Sequence, residues 1–186
     1  SPELAGAVYP FPMIEDGDMD IPSVYTTEKV GMRLAEHAGD VVALEIRAER
    51  RPATGVNVIA RQGAEPHRRI VLFAHIDAKD GTSGALDNAS GITVLLLLAE
   101  LLTDYAGDLG IEIVALNGED YYSAPGQLQY LSRNEGRFKE IVLGVNLDGV
   151  GYHHGRTAYS LYGCPSALAD PIHAAFDAYD TQIEGE

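Results

Sequence analysis

The sequence holds one cysteine, no tryptophan, and only 13 basic residues against 28 acidic ones. The lone cysteine, Cys164, excludes an internal disulfide. The deficit of basic residues leaves a formal net charge of −15, which argues against nucleic acid and anionic membrane surfaces as partners. Long apolar runs are missing too. The longest, VLLLLA at residues 94–99 with its flanks, falls far short of the roughly 20 residues that cross a bilayer. No signal-peptide pattern opens the chain. It starts at Ser1 and stops at TQIEGE, and both ends are expected to be cut from something longer. What is present is 186 residues, 46% of them hydrophobic, which suits one globular domain with a sizeable core, or one domain plus a fragment.

Residues 1–24 are rich in proline and acid and read as loop with one short strand at most. TTEKVGMRLAEHA reads as a helix with a threonine cap and Glu28 in its first turn. VVALEIRAE alternates like a strand, and RPATG is a turn. The pattern then changes. VNVIAR, RIVLFAH, IEIVALN and IVLGVNL are short, nearly continuous apolar runs of the kind buried on both faces of a sheet. Between the later ones lie helical stretches, NASGITVLLLLAELLTDY and APGQLQYLSRN. The alternation predicts an α/β fold, a three-layer sandwich with a central mostly parallel or mixed sheet and helices on both faces.

On that scaffold the polar residues fall into a pattern. His75 ends RIVLFAH, Glu119 and Asp120 follow IEIVALN after one glycine, and Asp148 directly follows IVLGVNL. Ligands of open α/β sheets bind at the carboxyl ends of the strands, so separate strands deliver an imidazole and several carboxylates to one edge. Asp87 stands just before a helix, where free amides and the helix dipole favour an anion. So many carboxylates repel one another without a cation, and one imidazole among them suits zinc or another divalent transition ion. Asp77 is placed to hold the His75 ring through its second nitrogen.

Taken singly, each residue has a plainer reading. Asp87 alone is a turn residue or a helix cap, His75 alone a surface or hydrogen-bonded histidine, and Glu119–Asp120 alone a solvated pair. Their joint occurrence at equivalent strand ends changes that. So does the small, Gly-rich SGALDNASG, which lets backbone approach an ion closely.

AHIDAKDGTSGALDNASGITVLLLLAELL, then IEIVALNGEDYY, then VNLDGVG resembles the zinc aminopeptidases with two co-catalytic metals, the family that also contains glutamate carboxypeptidase. The likeness in order and spacing covers roughly residues 56–152. It implies that His75 binds one metal, Asp87 bridges both, Asp148 completes the first site and Asp120 binds the second. Glu119 would be the general base, and the Asp87–Asn88 peptide bond would be cis. The usual family pair is Glu-Glu, so Asp120 departs from it by one methylene. The family's last ligand, a histidine, lies well downstream of the Asp148 position, and nothing in this chain matches it. Two zinc ions are therefore expected in the full-length protein and one or none here.

The implied function is a zinc-dependent exopeptidase that removes N-terminal residues from a peptide or aminoacyl substrate. The alternative is an impaired or non-catalytic homologue that keeps the fold as a binding module. Carboxylate-only magnesium or calcium chemistry is disfavoured by His75, and the absence of a G-x-S-x-G elbow disfavours a serine hydrolase. Residues 1–54 resemble the tail of a protease-associated insert, and residues 55–186 read as a partial metallopeptidase catalytic domain. Apolar surface left uncovered on such a piece would favour self-association. His153 and His154 read as turn residues and His173 as a packing or surface residue of an amphipathic helix. His37 and His67 carry no signal. Tyr121 and Tyr122 read as packing aromatics that could also line a pocket.

Overall fold

The computed structural model describes residues 8–11, 23–45, 47, 52–63, 67–79, 81–121, 124–155, 157–179 and 182–185. At its centre lies a four-stranded sheet of β3 (Val58–Gln62), β4 (Arg69–His75), β5 (Gly110–Leu116) and β6 (Ile141–Asn146), in the order β3-β5-β4-β6. β4 runs parallel to both of its neighbours, and β3 pairs antiparallel with β5 at one edge. This is the mixed sheet that the apolar runs predict.

Why these four segments form strands follows from their burial. β4 and β5 are the inner strands, and their side chains are covered on both faces. Their β-branched and leucine-rich runs suit that position. Alternate residues separate cleanly. Val71, Val114 and Leu116 pack with Tyr130 of α3 (Pro125–Arg133) on one face. Leu72, Ala74 and Ile111 pack with Leu95 of α2 (Gly91–Leu101) on the other. The period of two thus sends one strand into two cores, and a helix covers each. Removing the buried bulk of Leu95 by Leu95→Ala would cost about 2–5 kcal/mol.

α2 is preceded by one irregular turn, Ala85–Ser90, in which Asp87 and Asn88 leave helical geometry and the bond between them is cis, as the resemblance implies. The helix ends at Leu101, short of the expected Tyr105. Its inner face holds Leu95, while Leu96, Leu97 and Leu101 stay largely exposed.

Outside the central sheet, β1 (Val8–Phe11) and β2 (Ser23–Thr26) form an antiparallel pair that the proline-rich composition does not announce. α1 (Glu28–Ala35) follows, and the Thr27 hydroxyl accepts the Val30 amide at 3.4 Å, the expected cap. The strand expected over VVALEIRAE does not form at residues 41–45. Val41, Val42 and Leu44 are exposed there; alternation alone makes no strand without a neighbour to pair with and a core to face. β7 (Ala158–Ser160) and β8 (Gln182–Gly185) form a short parallel pair, with α4 (Ser166–Asp177) between them in sequence.

Candidate metal centre

Register explains how distant residues meet. β4 pairs in parallel with β5 through His75–Leu116 and with β6 through Phe73–Asn146. One further hydrogen bond on each side, Ile76 N to Leu116 O at 2.7 Å and Leu147 N to Phe73 O at 2.9 Å, carries the pairing to the very ends. The chain then leaves all three strands at one edge, with His75, Glu119 and Asp148 within a few residues of the exit points.

His75 is buried, its side chain only 3% exposed. Its Nε2 stands 2.9 Å from Asp87 Oδ1 and 3.6 Å from Asp148 Oδ1, yet makes no hydrogen bond. The three residues converge to within 4.8 Å of one another, a separation that suits ligands around one ion. Asp87 and Asp148 are much more open, at 66% and 42% exposed, so the cluster has a closed floor and an accessible mouth. Asp120 Oδ2 is likewise buried without a hydrogen-bond partner. An unbonded buried imidazole nitrogen and an unbonded buried carboxylate oxygen are costly unless something else satisfies them. The donor set therefore fits a divalent cation bound by nitrogen and oxygen.

Asp77 sits differently from the expected arrangement. The His75 Nδ1 lies 3.0 Å from the Asp77 backbone carbonyl and 3.8 Å from its carboxylate. That carboxylate instead accepts backbone amides from the turn that carries the acidic pair: Gly118 at 2.7 Å, Glu119 at 3.2 Å and Asp120 at 3.0 Å. One residue thus orients the imidazole with its main chain and fixes the Glu119–Asp120 turn with its side chain. Gly118 is required in that turn: its φ is +90°, and a Cβ there would stand 2.7 Å from the Pro125 ring.

Two asparagines do work that the sequence pattern does not reveal. Asn88 is fully buried; its amide donates to the Leu147 carbonyl at 2.9 Å, and its oxygen accepts the amides of Gly91 and Gly149 at 3.0 and 3.3 Å. It therefore ties the backbone beside Asp87 to both residues flanking Asp148. Asn57 donates to the Gly126 carbonyl at 2.8 Å and accepts the Asn117 amide at 3.0 Å, bracing the segment that leads to Glu119. Its place next to Asp87 is the sequence signal for Asn88, whereas Asn57 stands far from every candidate ligand in the sequence and carries none.

The electrostatics follow from crowding. Burial is the largest influence on His75 and opposes its protonation, but the carboxylates of Asp148, Glu119, Asp87 and Asp77 outweigh it and hold its pKa above the ordinary value. Glu119 is raised, first by burial and then, against the pull of His75, by Asp148, Asp120 and Asp87. Asp120 is raised by burial and by Asp87. Glu119 and Asp120 thus resist negative charge, as crowding among carboxylates dictates.

The other histidines lie apart from this cluster. His153 and His154 are exposed with ring centres 3.6 Å apart. His173 meets the Tyr159 hydroxyl at 2.7 Å through Nδ1, beside Phe176 stacked on Tyr159. His37 contacts Asp40 at the surface, and His67 lies at the opposite edge of the sheet. Tyr122 and the side chain of Tyr121 lie outside the described residues.

Among solved structures, the chain resembles an aminopeptidase from Aneurinibacillus sp. strain AM-1, with TM-score 0.65 and 23% identity over 89% of this chain and 44% of that one. It also resembles a leucine aminopeptidase precursor from Bacteroides thetaiotaomicron, with TM-score 0.53 and 28% identity over 70% of this chain and 56% of that one. A glutaminyl cyclase from Macrostomum lignano matches with TM-score 0.51 and 30% identity over 65% of this chain and 44% of that one. The chain spans 32% and 24% of the lengths of the curated relatives it matches. The α/β fold is that of these enzymes, and the model of peptidase family M28 matches residues 57–186, well over half of the sequence. This chain belongs to peptidase family M28.

Proposed function

We propose that residues 55–186 are part of the catalytic domain of a zinc-dependent exopeptidase that removes N-terminal residues from peptides, and that residues 1–54 are the tail of a protease-associated insert. The observation that carries the reading is the convergence of His75, Asp87 and Asp148 around an imidazole nitrogen without a hydrogen bond, in a chain of a peptidase family. The family match begins at residue 57, which supports the division. His75, Asp87 and Asp148 would hold one zinc, and Asp87 with Asp120 would contribute to a second. Bound there, zinc would polarise the scissile carbonyl and acidify the attacking water.

The chain's own residues have distinct tasks. Glu119 takes a proton from the attacking water onto its carboxylate and returns it to the leaving amine nitrogen. Its raised pKa makes it a stronger base than an ordinary carboxylate. The Asp77 carboxylate keeps the Glu119 turn in place through three amide hydrogen bonds, and the buried wall of His75 limits water on the inner side.

Two carboxylates without an imidazole hold zinc weakly, so this chain is expected to retain at most about one zinc. Elemental analysis after dialysis against zinc tests this; two tightly held ions would overturn it. Function is tested on the full-length protein with an aminoacyl p-nitroanilide and, in parallel, an N-terminal glutaminyl peptide. Release of p-nitroaniline supports the exopeptidase. Ammonia release with cyclisation of the glutaminyl peptide, and no p-nitroaniline, would replace it with the activity named for the Macrostomum lignano relative. Neither activity in a zinc-loaded protein would favour a binding module. The exposed Leu96, Leu97 and Leu101 support self-association of the chain, which sedimentation at several concentrations would detect.

A further inference from the structure

Asp120 reaches out by a single methylene, so the position of its backbone largely decides where its carboxylate lies. Two residues of the loop that leaves β4 hold that backbone. The Asp120 amide donates to Asp77 Oδ2 at 3.0 Å, and the Asp120 carbonyl accepts the Lys79 ammonium at 3.3 Å. Lys79 is itself fixed. The Thr82 amide and hydroxyl both donate to the Lys79 carbonyl, at 3.0 and 2.8 Å, and close a turn beside it. The Lys79 side chain thus joins two loops that leave neighbouring strands, across 41 residues of sequence.

The carboxylate end shows the result. Burial and then Asp87 raise the Asp120 pKa, while the Lys79 backbone amide, as a hydrogen-bond partner of the carboxylate, works against that rise. Oδ2 is buried without a hydrogen-bond partner, and a carboxylate oxygen of Asp120 lies within 4.8 Å of ligand atoms of His75 and Asp77. The residue is therefore gripped at its amide and at its carbonyl, with one buried oxygen left to a cation. Ligands presented in this way owe their aim to the groups behind them.

We propose that Lys79 is a positioning residue that, through the Asp120 carbonyl, aims the Asp120 carboxylate at the second metal ion. The inference rests on the reading of Asp120 as a ligand of that ion. It has a signature in sign. An ammonium acting only through its charge repels a cation, so its removal would tighten the ion. An ammonium that places a ligand does the reverse, and its removal loosens the ion.

The test is a zinc titration of the full-length protein against a chelator of known affinity, at fixed pH and ionic strength. The parent is compared with Lys79→Met, Lys79→Arg and Asp120→Ala. Lys79→Met keeps the length of the side chain and the backbone amide but loses the donor. It should weaken the second zinc about tenfold and leave the first within about twofold. Lys79→Arg still donates to the carbonyl and should stay within about threefold of the parent. Asp120→Ala identifies the step, because it should weaken the same zinc at least as much as Lys79→Met does. A second zinc that is unchanged or tighter in Lys79→Met, yet weakened in Asp120→Ala, overturns the inference and leaves Asp120 a ligand. Equal losses in Lys79→Met and Lys79→Arg, or equal losses at both zinc ions, also overturn it, since the donor would then not be what matters. A titration unaltered by Asp120→Ala removes Asp120 from the second site and the inference with it. None of these outcomes depends on p-nitroaniline release, so the exopeptidase reading is judged separately.

Discussion

At the carboxyl edge of the central sheet, Asp77, Asp87, Glu119, Asp120 and Asp148 surround one imidazole; at the amino edge, Arg61, Arg69 and Arg137 surround Glu112 and Glu140. Burial is the largest influence on Glu119 and on Glu112, and it pushes both pKa values up. The neighbours decide the outcome. Among carboxylates Glu119 stays raised, whereas beside Tyr130, Arg61 and Arg69 Glu112 ends below its ordinary value. The difference separates two uses of buried charge. One edge carries its own counter-charges and braces the fold; the other leaves acidic groups uncompensated and so is suited to bind a cation and move a proton.

The contrast can be broken most severely at the amino edge. Glu112→Ala removes the buried carboxylate that accepts Tyr130 and Arg61 and stands 3.5 Å from buried Arg69, and a loss of about 3–5 kcal/mol in unfolding free energy is expected by denaturant titration. A loss below about 1 kcal/mol would mean that the network does not brace the sheet. At the carboxyl edge the expected effect is on rate. In the full-length protein, Glu119→Gln should retain fold and zinc but lose turnover by about 10²-fold or more, read from kcat alongside metal content. Near-normal kcat would remove Glu119 from the reaction.

Asn88→Ala probes the tie between Asp87 and Asp148. Deleting its buried carboxamide leaves the Gly91 and Gly149 amides and the Leu147 carbonyl without that partner, at a cost of about 1–3 kcal/mol, with weaker zinc retention on dialysis. Retention equal to the parent's would separate Asn88 from the metal site.

The two edges should also differ in acid. The folded pKa of Glu112 is depressed, so its stabilisation is complete above the ordinary carboxylate value of 4.5 and is lost as pH falls through the lower folded value. Melting curves should show Tm falling over that acid range, and Glu112→Gln should flatten that limb. Tyr130 gives the alkaline counterpart. Its pKa is pushed up to about 12, chiefly by burial and by its bond to Glu112, so stability should fall as pH rises from 10 towards 12. Tyr130→Phe would remove this dependence. The smallest effect lies outside the central sheet: Thr27→Ala should cost α1 about 1 kcal/mol through its lost cap.

The fold was legible where one rule governed a segment. RIVLFAH became β4 from its first residue to its last because a short run with β-branched and aromatic residues suits a strand buried on both faces. VVALEIRAE obeyed the alternation rule equally well, yet residues 41–45 form no strand, since pairing depends on a neighbour that the segment does not encode. Asp77 shows the same limit within the candidate site. Its position two residues after His75 pointed to a side-chain contact, but the packed chain turns its carboxylate towards the Gly118–Asp120 amides. Arg69 and Glu112 stand within otherwise apolar strands, and a charge inside such a run is itself a sign of a buried partner.

Sequence alone determined which residues could carry chemistry and on which strand ends they stand, because alternation and apolar run length follow from local geometry. It also carried the likeness in spacing that singled out His75, Asp87, Glu119, Asp120 and Asp148. Tertiary structure decided which atoms meet. The parallel register of β4 with β5 and β6 brings His75 and Asp148 to one edge, and Asn88 joins segments 59 and 61 residues apart. It also decided the opposite signs of the Glu112 and Glu119 pKa shifts, because Coulomb energies depend on distances through space, and those are set only when the chain has packed.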